Sequence, residues 1–413
     1  MNYLFIHQNF PGQYRHVARY LADQPGNIVY FITQPNENSM GGIYKISYPK
    51  DQRGPVNCHA YAVEVDRAIY TGASVADVCR GLREQGFRPD LIVGHAGWGE
   101  TLFVKDVYPD VPLLANFEFF YHPHGVDVGF DPEFTSIFSD PSRLRARNGV
   151  ILMAFQAADW GHSATQWQRS LHPPEMHSRI SVLHEGVDTD IVCPNGKASF
   201  KLPGTRRTLT RRDEVVTYVA RNLEPYRGFH VFMRALPQLL RRRKRAQIVI
   251  VGGDGVSYGA PPPPRSSFRD MMLQELGAKL DLARVHFVGM LDYHAYVNLL
   301  QVSSVHVYLT YPFVLSWSLI EAMACGCLIV ASDTPPVREV LQDGSNALTV
   351  DFFAYKRLAQ RIEAALDRPE QMKALRKAAR TTAVSEFDLK RLLLPRWNAL
   401  FEDLINRRRP ALA

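Results

Sequence analysis

The chain has 413 residues, a hydrophobic fraction of 46% and a formal net charge of +7. This length suffices for two domains of roughly 200 residues each, and no apolar run reaches the roughly 18 residues of a membrane span. The five cysteines are odd in number and scattered, which argues against a disulfide framework and indicates reduced thiols. No nucleic-acid motif accompanies the basic residues, so a nucleic-acid partner is not expected.

Short apolar runs alternate with amphipathic helical patterns along the chain. The predicted strands are 3–8, 27–33, 91–95, 112–119, 180–185, 215–220, 247–251, 285–288, 305–309 and 327–332, and the predicted helices include 16–22, 229–242, 293–301 and 389–406. The first run lacks a charged leader, so it predicts a strand and not a signal peptide. Apolar strands that alternate with helices predict parallel sheets covered on both faces.

Polar residues follow several predicted strands of the first half, where ligands bind in open α/β sheets. Gly12 lies in the loop after the first strand, His95 closes the third and Glu118 lies at the end of the fourth. His122 and His124 form a His-x-His pair that can bind metal, but a third ligand is not evident. We interpret this pair as loop histidines.

The chain between the two halves carries two further patterns. Asp188 and Asp190 form D-x-D, which is either a metal-nucleotide motif or a structural turn, and we interpret it as structural. The stretch 193–212 is rich in proline and charge and is predicted to be a linker. Basic runs at 206–207, 211–212, 241–245 and 407–409 are either solvated helix ends or a surface attracted to anionic lipid headgroups.

Two arginines flank the first loop of the second half. A strand is predicted to end at Ala220, Arg221 opens the loop, and Arg227 and Gly228 precede the helix that begins at Phe229. Two cations beside a helix N-terminus favour an anion, because the free N–H groups and the helix dipole point the same way. A guanidinium also matches diphosphate oxygens. The pattern therefore predicts a diphosphate site.

Glycines and prolines follow the next strand. Gly252 and Gly253 permit close approach of a ligand to the backbone or serve a tight turn. The irregular stretch 254–269 contains four consecutive prolines, which favour an extended conformation. It is predicted to be either a lid or a surface excursion.

Glu321 is an isolated carboxylate in an apolar helical pattern that ends at Gly326. Burial of an unpaired charge is very unfavourable, so Glu321 needs a hydrogen-bonding partner. Either the protein or a ligand supplies it.

The stretch 311–326, Y-P-F-V-L-S-W-S-L-I-E-A-M-A-C-G, resembles the C-terminal signature of retaining glycosyltransferases of family 4, in which E-x7-E is followed by A-M-A-C-G. Glu321 matches the second Glu, which bonds the ribose of a nucleotide sugar in the family, whereas Phe313 replaces the first. The loop from Ala220 to Gly228 resembles the family's G-R-L-x-x-x-K-G phosphate loop, with Arg227 in the Lys position.

The resemblance implies roles for further residues. Gly253 matches the G-x-G turn, Val288 lies in the segment whose backbone reads the base, and Ser316 and Trp317 occupy the turn whose amides meet the distal phosphate. Arg221, Arg227 and Glu321 complete this donor site. In the first half, Gly12 matches a loop near the sugar, His95 matches a family histidine, and Glu118 replaces a histidine that contacts the donor sugar. Arg227, Glu118 and His95 are the candidate catalytic residues.

The implied fold is GT-B, an α/β architecture of two Rossmann-like domains with parallel sheets facing an interdomain cleft. Residues 1–200 would form the acceptor-side domain and 201–385 the nucleotide-sugar domain, with 386–413 as a helix returning to the first domain. The implied enzyme is a retaining hexosyltransferase that moves a sugar from a UDP- or GDP-sugar to a glycan or lipid-linked acceptor in polysaccharide biosynthesis. The alternatives are an inactive nucleotide-sugar-binding partner of a glycosyltransferase complex, and an epimerase or hydrolase on the same fold.

No metal or other cofactor is implied, because arginines and helix N-termini can stabilise a departing diphosphate. The expected location is the cytoplasm, either free or peripheral at the inner membrane face. The base, sugar and acceptor are not specified by the sequence.

Overall fold

The computed structural model describes residues 1–54, 57–134 and 140–411. It divides into two compact units. Unit 1 comprises Met1–Pro123, Phe138–Gly186 and Leu389–Ala413, and unit 2 comprises His124–Ile137 and Val187–Asp388. Compared with the predicted limits at 200 and 385, the chain changes unit earlier, after Gly186, and a short segment from the first half belongs to unit 2.

The strands in chain order are β1 (Asn2–Ile6), β2 (Ile28–Thr33), β3 (Ile43–Ser47), β4 (Leu91–His95), β5 (Leu113–Asn116), β6 (Trp160–Ser163), β7 (Ile180–Val182), β8 (Ser199–Lys201), β9 (Thr208–Thr210), β10 (Val215–Asn222), β11 (Gln247–Gly253), β12 (Val285–Gly289), β13 (Val305–Tyr308), β14 (Ile329–Ser332) and β15 (Leu348–Val350). The helices are α1 (Arg15–Ala22), α2 (Val63–Glu84), α3 (Val104–Val107), α4 (Pro141–Ala157), α5 (Gln166–Ser170), α6 (Pro174–His177), α7 (Phe229–Arg242), α8 (Phe268–Leu276), α9 (Tyr293–Val302), α10 (Trp317–Ala324), α11 (Pro335–Arg338), α12 (Tyr355–Asp367), α13 (Lys373–Phe387) and α14 (Leu394–Ile405). No helix in the described parts of the chain is both long and apolar enough to cross a membrane.

Unit 1 is built on a parallel sheet in the order β3-β2-β1-β4-β5-β6-β7. The sequence did not predict β3 or β6. The edge strand β3 is only partly buried, and β6 reads Trp-Gly-His-Ser, a composition without β-branched residues although all four residues are buried. The strand predicted at 112–119 ends earlier, at Asn116, so that Glu118 lies in the following loop.

The C-terminal helix α14 packs on unit 1. Trp397 is 2% exposed, and its indole N–H donates to the carbonyl of His184 at 3.2 Å. Leu400, Phe401 and Leu404 join a cluster with residues of β1 and α1. This apolar face of the helix, repeating at i, i+3, i+4 and i+7, fixes the helix to the unit.

Unit 2 is built on a second parallel sheet in the order β12-β11-β10-β13-β14-β15. The prediction that 193–212 is a linker was wrong, because this stretch contains the antiparallel hairpin β8–β9. Its alternating residues Phe200, Leu202 and Leu209 are buried against the core of unit 2. The alternation of apolar and polar residues is the signal that the charge-rich composition concealed.

Five of the buried histidines in the described chain have a strongly lowered pKa and make the fold sensitive to acid. Burial lowers their pKa from 6.5 to about 3 for His7, His162 and His306, and to about 4 for His172 and His184. Four of the five lie in unit 1. Below pH 6.5 the unfolded chain binds protons that the native state does not, so stability falls as pH decreases, by up to about 1.4 kcal/mol per pH unit for each histidine.

We therefore expect unit 1 to lose more stability than unit 2 between pH 7 and pH 5. Hydrogen-exchange protection factors, corrected for the intrinsic pH dependence of exchange, measure the stability of each unit separately. An equal loss of protection in both sheets would contradict this expectation.

Candidate active site

The carboxyl ends of β10, β11 and β13 meet at one edge of the unit 2 sheet, as expected for a ligand site in an open α/β fold. After β10 the chain makes a short turn over Pro225–Arg227 and enters α7 through Gly228. Gly228 has a φ of 66°, and a Cβ there would lie 2.5 Å from the Cβ of Leu309. Glycine is therefore required for this loop to pack against the end of β13.

Arg227 is the buried cation of this edge. It is 7% exposed, and its Nη1 donates to Thr310 Oγ1 at 2.8 Å and to the carbonyl of Val314 at 2.9 Å. Tyr308 Oη lies 3.5 Å from the same nitrogen. Within the described ranges Arg227 forms no ion pair with a carboxylate.

Arg221 differs from Arg227, although both were predicted to bind diphosphate. It stands near the end of β10 and is exposed. Water screens an exposed cation, which weakens its attraction for a phosphate. The structure places Arg227, and not Arg221, against the loop before α10.

The N-terminus of α10 lies at the same edge. Ser316 is its N-cap, and the backbone N–H of Ser316 donates to Tyr308 Oη at 2.8 Å. The predicted contact of this N–H with a phosphate therefore requires that the Tyr308 hydroxyl move away, or that the N–H be shared between the hydroxyl and the phosphate. Trp317 opens the helix.

Glu321 obtains its partners from the protein. It is 8% exposed, and the hydroxyls of Tyr293 and Tyr296, both on α9, donate to its two carboxylate oxygens at 2.9 and 2.8 Å. This resolves how the apolar helix accommodates a carboxylate. A carboxylate has about four lone-pair sites and can accept more than two hydrogen bonds.

We expect Glu321→Ala to weaken donor binding by roughly 1.5–3 kcal/mol, the value of one charge-assisted hydrogen bond. Titration calorimetry with the donor nucleotide measures the effect. Tyr296→Phe is the matched control, because it removes a protein partner of Glu321 and keeps the carboxylate. A folded Glu321→Ala variant with unchanged affinity would show that Glu321 is structural.

Packing within the protein accounts for the glycines after β11. A Cβ on Gly253 would lie 2.8 Å from Asn222 Oδ1, and one on Gly252 would lie 2.7 Å from a methyl carbon of Leu223. The first contact is with the last residue of β10 and the second is with the loop that follows it. Val288 lies on the edge strand β12 and packs against the core beneath the hairpin. The predicted ligand roles of Gly253 and Val288 stay predictions.

Phe313 lies in an aromatic cluster and is 5% exposed. Its ring centroid is 5.5 Å from that of Tyr226 and 4.9 Å from that of Tyr258. The neighbouring residue Val314 is the one whose carbonyl holds Arg227. The position of the replaced family glutamate is thus an apolar part of this site.

Unit 1 carries a second polar cluster, at the carboxyl ends of β1, β4 and β5. His95 Nε2 lies 3.5 Å from Glu118 Oε2, and Gln13 Nε2 donates to Glu118 Oε1 at 2.9 Å. The ring of Trp98 stacks on His95 with centroids 4.1 Å apart. The structure therefore brings together His95 and Glu118, two of the candidate catalytic residues.

The charge of Glu118 follows from its contacts. Nδ1 of His95 accepts from the N–H of Gly97 at 3.0 Å, and its Nε2 lies on the side of Glu118. Burial raises the pKa of Glu118, but the hydrogen bond and charge of His95 outweigh it, with help from Gln13, and the pKa is lowered overall. Glu118 is therefore an ionised acceptor at neutral pH.

His7 and Gly12 pack beside this pair. The ring of His7 lies 5.1 Å from that of His95, and its Nδ1 accepts from the N–H of Asn9 at 2.8 Å. Gly12 has a φ of 53°, and a Cβ there would lie 2.8 Å from the His7 ring. Gly12 thus lets its loop close on His7.

Glu100 was missed by sequence reasoning. It is fully buried, and its Oε1 accepts from the N–H of Gln8 at 3.1 Å and from Tyr48 Oη at 3.4 Å. Burial raises the pKa of Glu100. Glu100 lies five residues after His95 in a glycine-rich turn, and the sequence there has no pattern that indicates a buried carboxyl group.

One possible metal-ligand group occurs among the residues described: Asp131, Glu133 and His230 in unit 2. Its members already have protein partners. His230 Nε2 lies 3.0 Å from Asp131 Oδ2, and Glu133 binds Arg234 in a bidentate pair at 2.6 and 2.7 Å. These contacts account for the group without an ion.

Two family models match successive parts of the chain. The model described as "Glycosyl transferase family 4 group" matches residues 25–192, and "Glycosyl transferases group 1" matches residues 205–382. The chain belongs to the family 4 type of glycosyltransferases. Its units are accordingly the two Rossmann-like halves of a GT-B fold.

The sequence relatives described next align with less than half of this family 4 chain. D-inositol 3-phosphate glycosyltransferase of Rhodococcus jostii is 27% identical over 206 residues, which is 47% of this chain and 44% of the relative. Phosphatidyl-myo-inositol mannosyltransferase of Mycolicibacterium smegmatis is 32% identical over 169 residues, 39% of each protein. The matches thus span less than half of these relatives.

Solved structures resemble the family 4 chain over nearly its full length. HepE of Anabaena, crystallised in complex with UDP, has a TM-score of 0.67 at 16% identity and is matched over 97% of this chain and 100% of its own. Sucrose-phosphate synthase of Thermosynechococcus elongatus has a TM-score of 0.70 at 18% identity over 98% and 100%. At these identities the likeness establishes the fold.

Proposed function

We propose that this protein is a retaining hexosyltransferase that moves a sugar from a UDP- or GDP-sugar to a glycan or lipid-linked acceptor. The observation that carries the proposal is Arg227, a buried guanidinium without a carboxylate partner in the described chain, held beside the N-terminus of α10. A protein buries such a charge at low cost only when an anion completes the site. The diphosphate of a nucleotide sugar is such an anion.

In this proposal the donor binds at the edge of the unit 2 sheet. As the bond between sugar and diphosphate breaks, negative charge grows on the leaving phosphate. A fixed cation and helix N-terminal amides stabilise that charge more than the ground state, which accelerates the chemical step. Arg227 is the residue that supplies the charge, and Glu321 is proposed to hold the ribose.

The cluster in unit 1 is proposed to contact sugar hydroxyls. Glu118 is an ionised acceptor, and Nε2 of the buried His95 lies 3.5 Å from it. Glu118 can therefore accept from a sugar hydroxyl while Gln13 donates to its other oxygen. Trp98, stacked on His95, provides a flat apolar surface of the kind that sugar rings pack against.

The comparisons support the choice of donor and acceptor class. Anabaena HepE was crystallised with UDP and with UDP-glucose, which favours a uridine nucleotide among the two predicted bases. The names of the sequence relatives specify an inositol phosphate and a phosphatidylinositol as their acceptors. We therefore include soluble and lipid-linked inositol phosphates among the acceptors to be tested.

A thermal-shift screen against nucleoside diphosphates and their sugars tests the donor part of the proposal. A ligand that binds only the native state raises the melting temperature, by an amount that grows with its concentration over Kd. We expect a uridine or guanosine diphosphate sugar to raise it, and the matching nucleoside to have little effect. No shift with any nucleotide sugar would argue against the proposal.

We expect activity to persist without divalent metal, because Arg227 and the α10 N-terminus can stabilise the leaving diphosphate. The Asp188–Asp190 motif supports this expectation, since the Asp188 side chain accepts from the N–H of Asp190 in a local turn. Turnover is measured before and after treatment with EDTA. Activity lost in chelator and restored by magnesium or manganese would contradict it.

A further inference from the structure

The loop that follows β11 is tied to the phosphate loop by one buried carboxylate. Glu224 is 1% exposed, and its carboxylate accepts from three successive backbone N–H groups. The donors are Ser257 at 3.1 Å, Tyr258 at 3.1 Å and Gly259 at 3.3 Å. Three successive backbone N–H groups thus converge on one side chain, which holds the turn in place.

A second contact supports the same turn. Asn222 Nδ2 donates to Ser257 Oγ at 2.8 Å. A Cβ on Gly259 would lie 3.3 Å from the Tyr226 ring, so the turn packs tightly on the phosphate loop. Of the two alternatives for 254–269, the part around Ser257 is therefore fixed at the edge of the sheet and is not a surface excursion.

The anchored turn carries Tyr258 to Arg227. The centroid of the Tyr258 ring lies 5.3 Å from the guanidinium carbon, within the range of a cation–π contact. Arg227 is 7% exposed, whereas Tyr258 is only partly buried. Tyr258 is therefore the more exposed partner in this contact.

We propose that Tyr258 is a diphosphate-binding residue and that Glu224 is its positioning residue. This inference rests on the proposed function. A phenol hydroxyl can donate a hydrogen bond, and the Tyr258 ring already lies against the guanidinium. Tyr258 would donate to a phosphate oxygen that Arg227 neutralises, and Glu224 would reduce the entropy lost on binding by holding the turn in place beforehand.

Calorimetric titration of the wild type with UDP, GDP and the corresponding monophosphates tests this inference. Tyr258→Phe keeps the ring and removes the hydroxyl, so we expect it to weaken diphosphate binding about tenfold and to leave monophosphate binding nearly unchanged. Tyr355→Ala on α12, 37% exposed, is the control for loss of a tyrosine elsewhere on the unit.

A double-mutant cycle tests the positioning role. Glu224→Gln and Asn222→Ala each loosen the turn, and we expect each to weaken diphosphate binding in the wild type but to add nothing in the Tyr258→Ala background. Asn222→Ala keeps the test open if Glu224→Gln does not fold. Partial recovery of diphosphate binding in Glu224→Asp would agree with a turn that is held by a carboxylate.

The possible outcomes distinguish the proposed function from the inference about Tyr258 and Glu224. A wild type that binds neither UDP nor GDP would overturn the proposed function, and this inference with it. If the wild type and Tyr258→Phe bind a diphosphate with equal affinity, the inference alone is overturned. Equal losses from Glu224→Gln with and without Tyr258 would overturn the positioning role of Glu224.

Discussion

Replacement of Arg227 by alanine is expected to lower kcat/KM for the donor by about 10²–10³-fold, the usual loss when one group that stabilises the leaving charge is removed. The guanidinium is buried and forms no ion pair within the described residues. Steady-state kinetics measure the loss. Most of it should fall on kcat if the contact strengthens in the transition state.

Two comparisons separate charge from packing. Arg227→Met keeps much of the side-chain volume and should lose nearly as much activity as Arg227→Ala. Arg221→Lys should lose far less, because Arg221 is exposed and keeps its charge. Equal and small losses in Arg227→Ala and Arg221→Lys would place the diphosphate site elsewhere.

Replacement of Phe313 by glutamate is expected to lower the free energy of unfolding by about 3–5 kcal/mol at pH 8, the range for an uncompensated buried charge. The ring is 5% exposed between Tyr226 and Tyr258. Burial raises the pKa of a carboxyl group, so the folded variant binds its proton more tightly than the unfolded chain does. Its stability should therefore recover as pH falls. Denaturant titrations at pH 8 and pH 5 measure both effects, with Phe313→Leu as the apolar control.

The same variant tests how the donor sugar is recognised. A site without an acceptor at position 313 should tolerate loss of the matching sugar hydroxyl, whereas a site built around one rejects the deoxy analogue. We expect the wild type to turn over a donor and Phe313→Glu to give no improvement on a panel that includes deoxy sugars. Turnover by Phe313→Glu alone would identify the chain as a decayed transferase.

The repeated alternation of strand and helix was predictable because each parallel strand is buried on both faces and reads as an apolar run. The helix Phe229–Arg242 was predicted with its observed bounds, since its apolar spacing is regular and Gly228 marks its start. Exceptions followed from composition. The strand Trp160–Ser163 is buried yet carries a histidine and a serine, and the segment His124–Ile137 joins unit 2 without any local signal.

The candidate site was predictable where chemistry is local in sequence, as in the loop that carries Arg227. It was not predictable where partners come from distant elements. Glu321 is satisfied by two tyrosines of α9, and Glu224 by amides of a loop more than thirty positions away. Sequence shows that a buried carboxylate needs partners. Only the fold shows which groups are these partners, and hence that Glu224 holds the turn that carries Tyr258.

The central claim is transfer of a sugar from a nucleotide donor, and release of nucleoside diphosphate with and without acceptor tests it most directly. The purified chain is incubated with UDP- and GDP-sugars, alone and with glycan, inositol phosphate or phosphatidylinositol acceptors. We predict release that rises strongly with one acceptor, falls by about 10²–10³-fold in Arg227→Ala, and yields a product whose anomeric configuration matches the donor. Release independent of every acceptor would indicate a hydrolase, and conversion of the donor into an epimer without net release would indicate an epimerase. Binding of a donor without release or conversion would indicate an inactive partner, and any of these results would contradict the account.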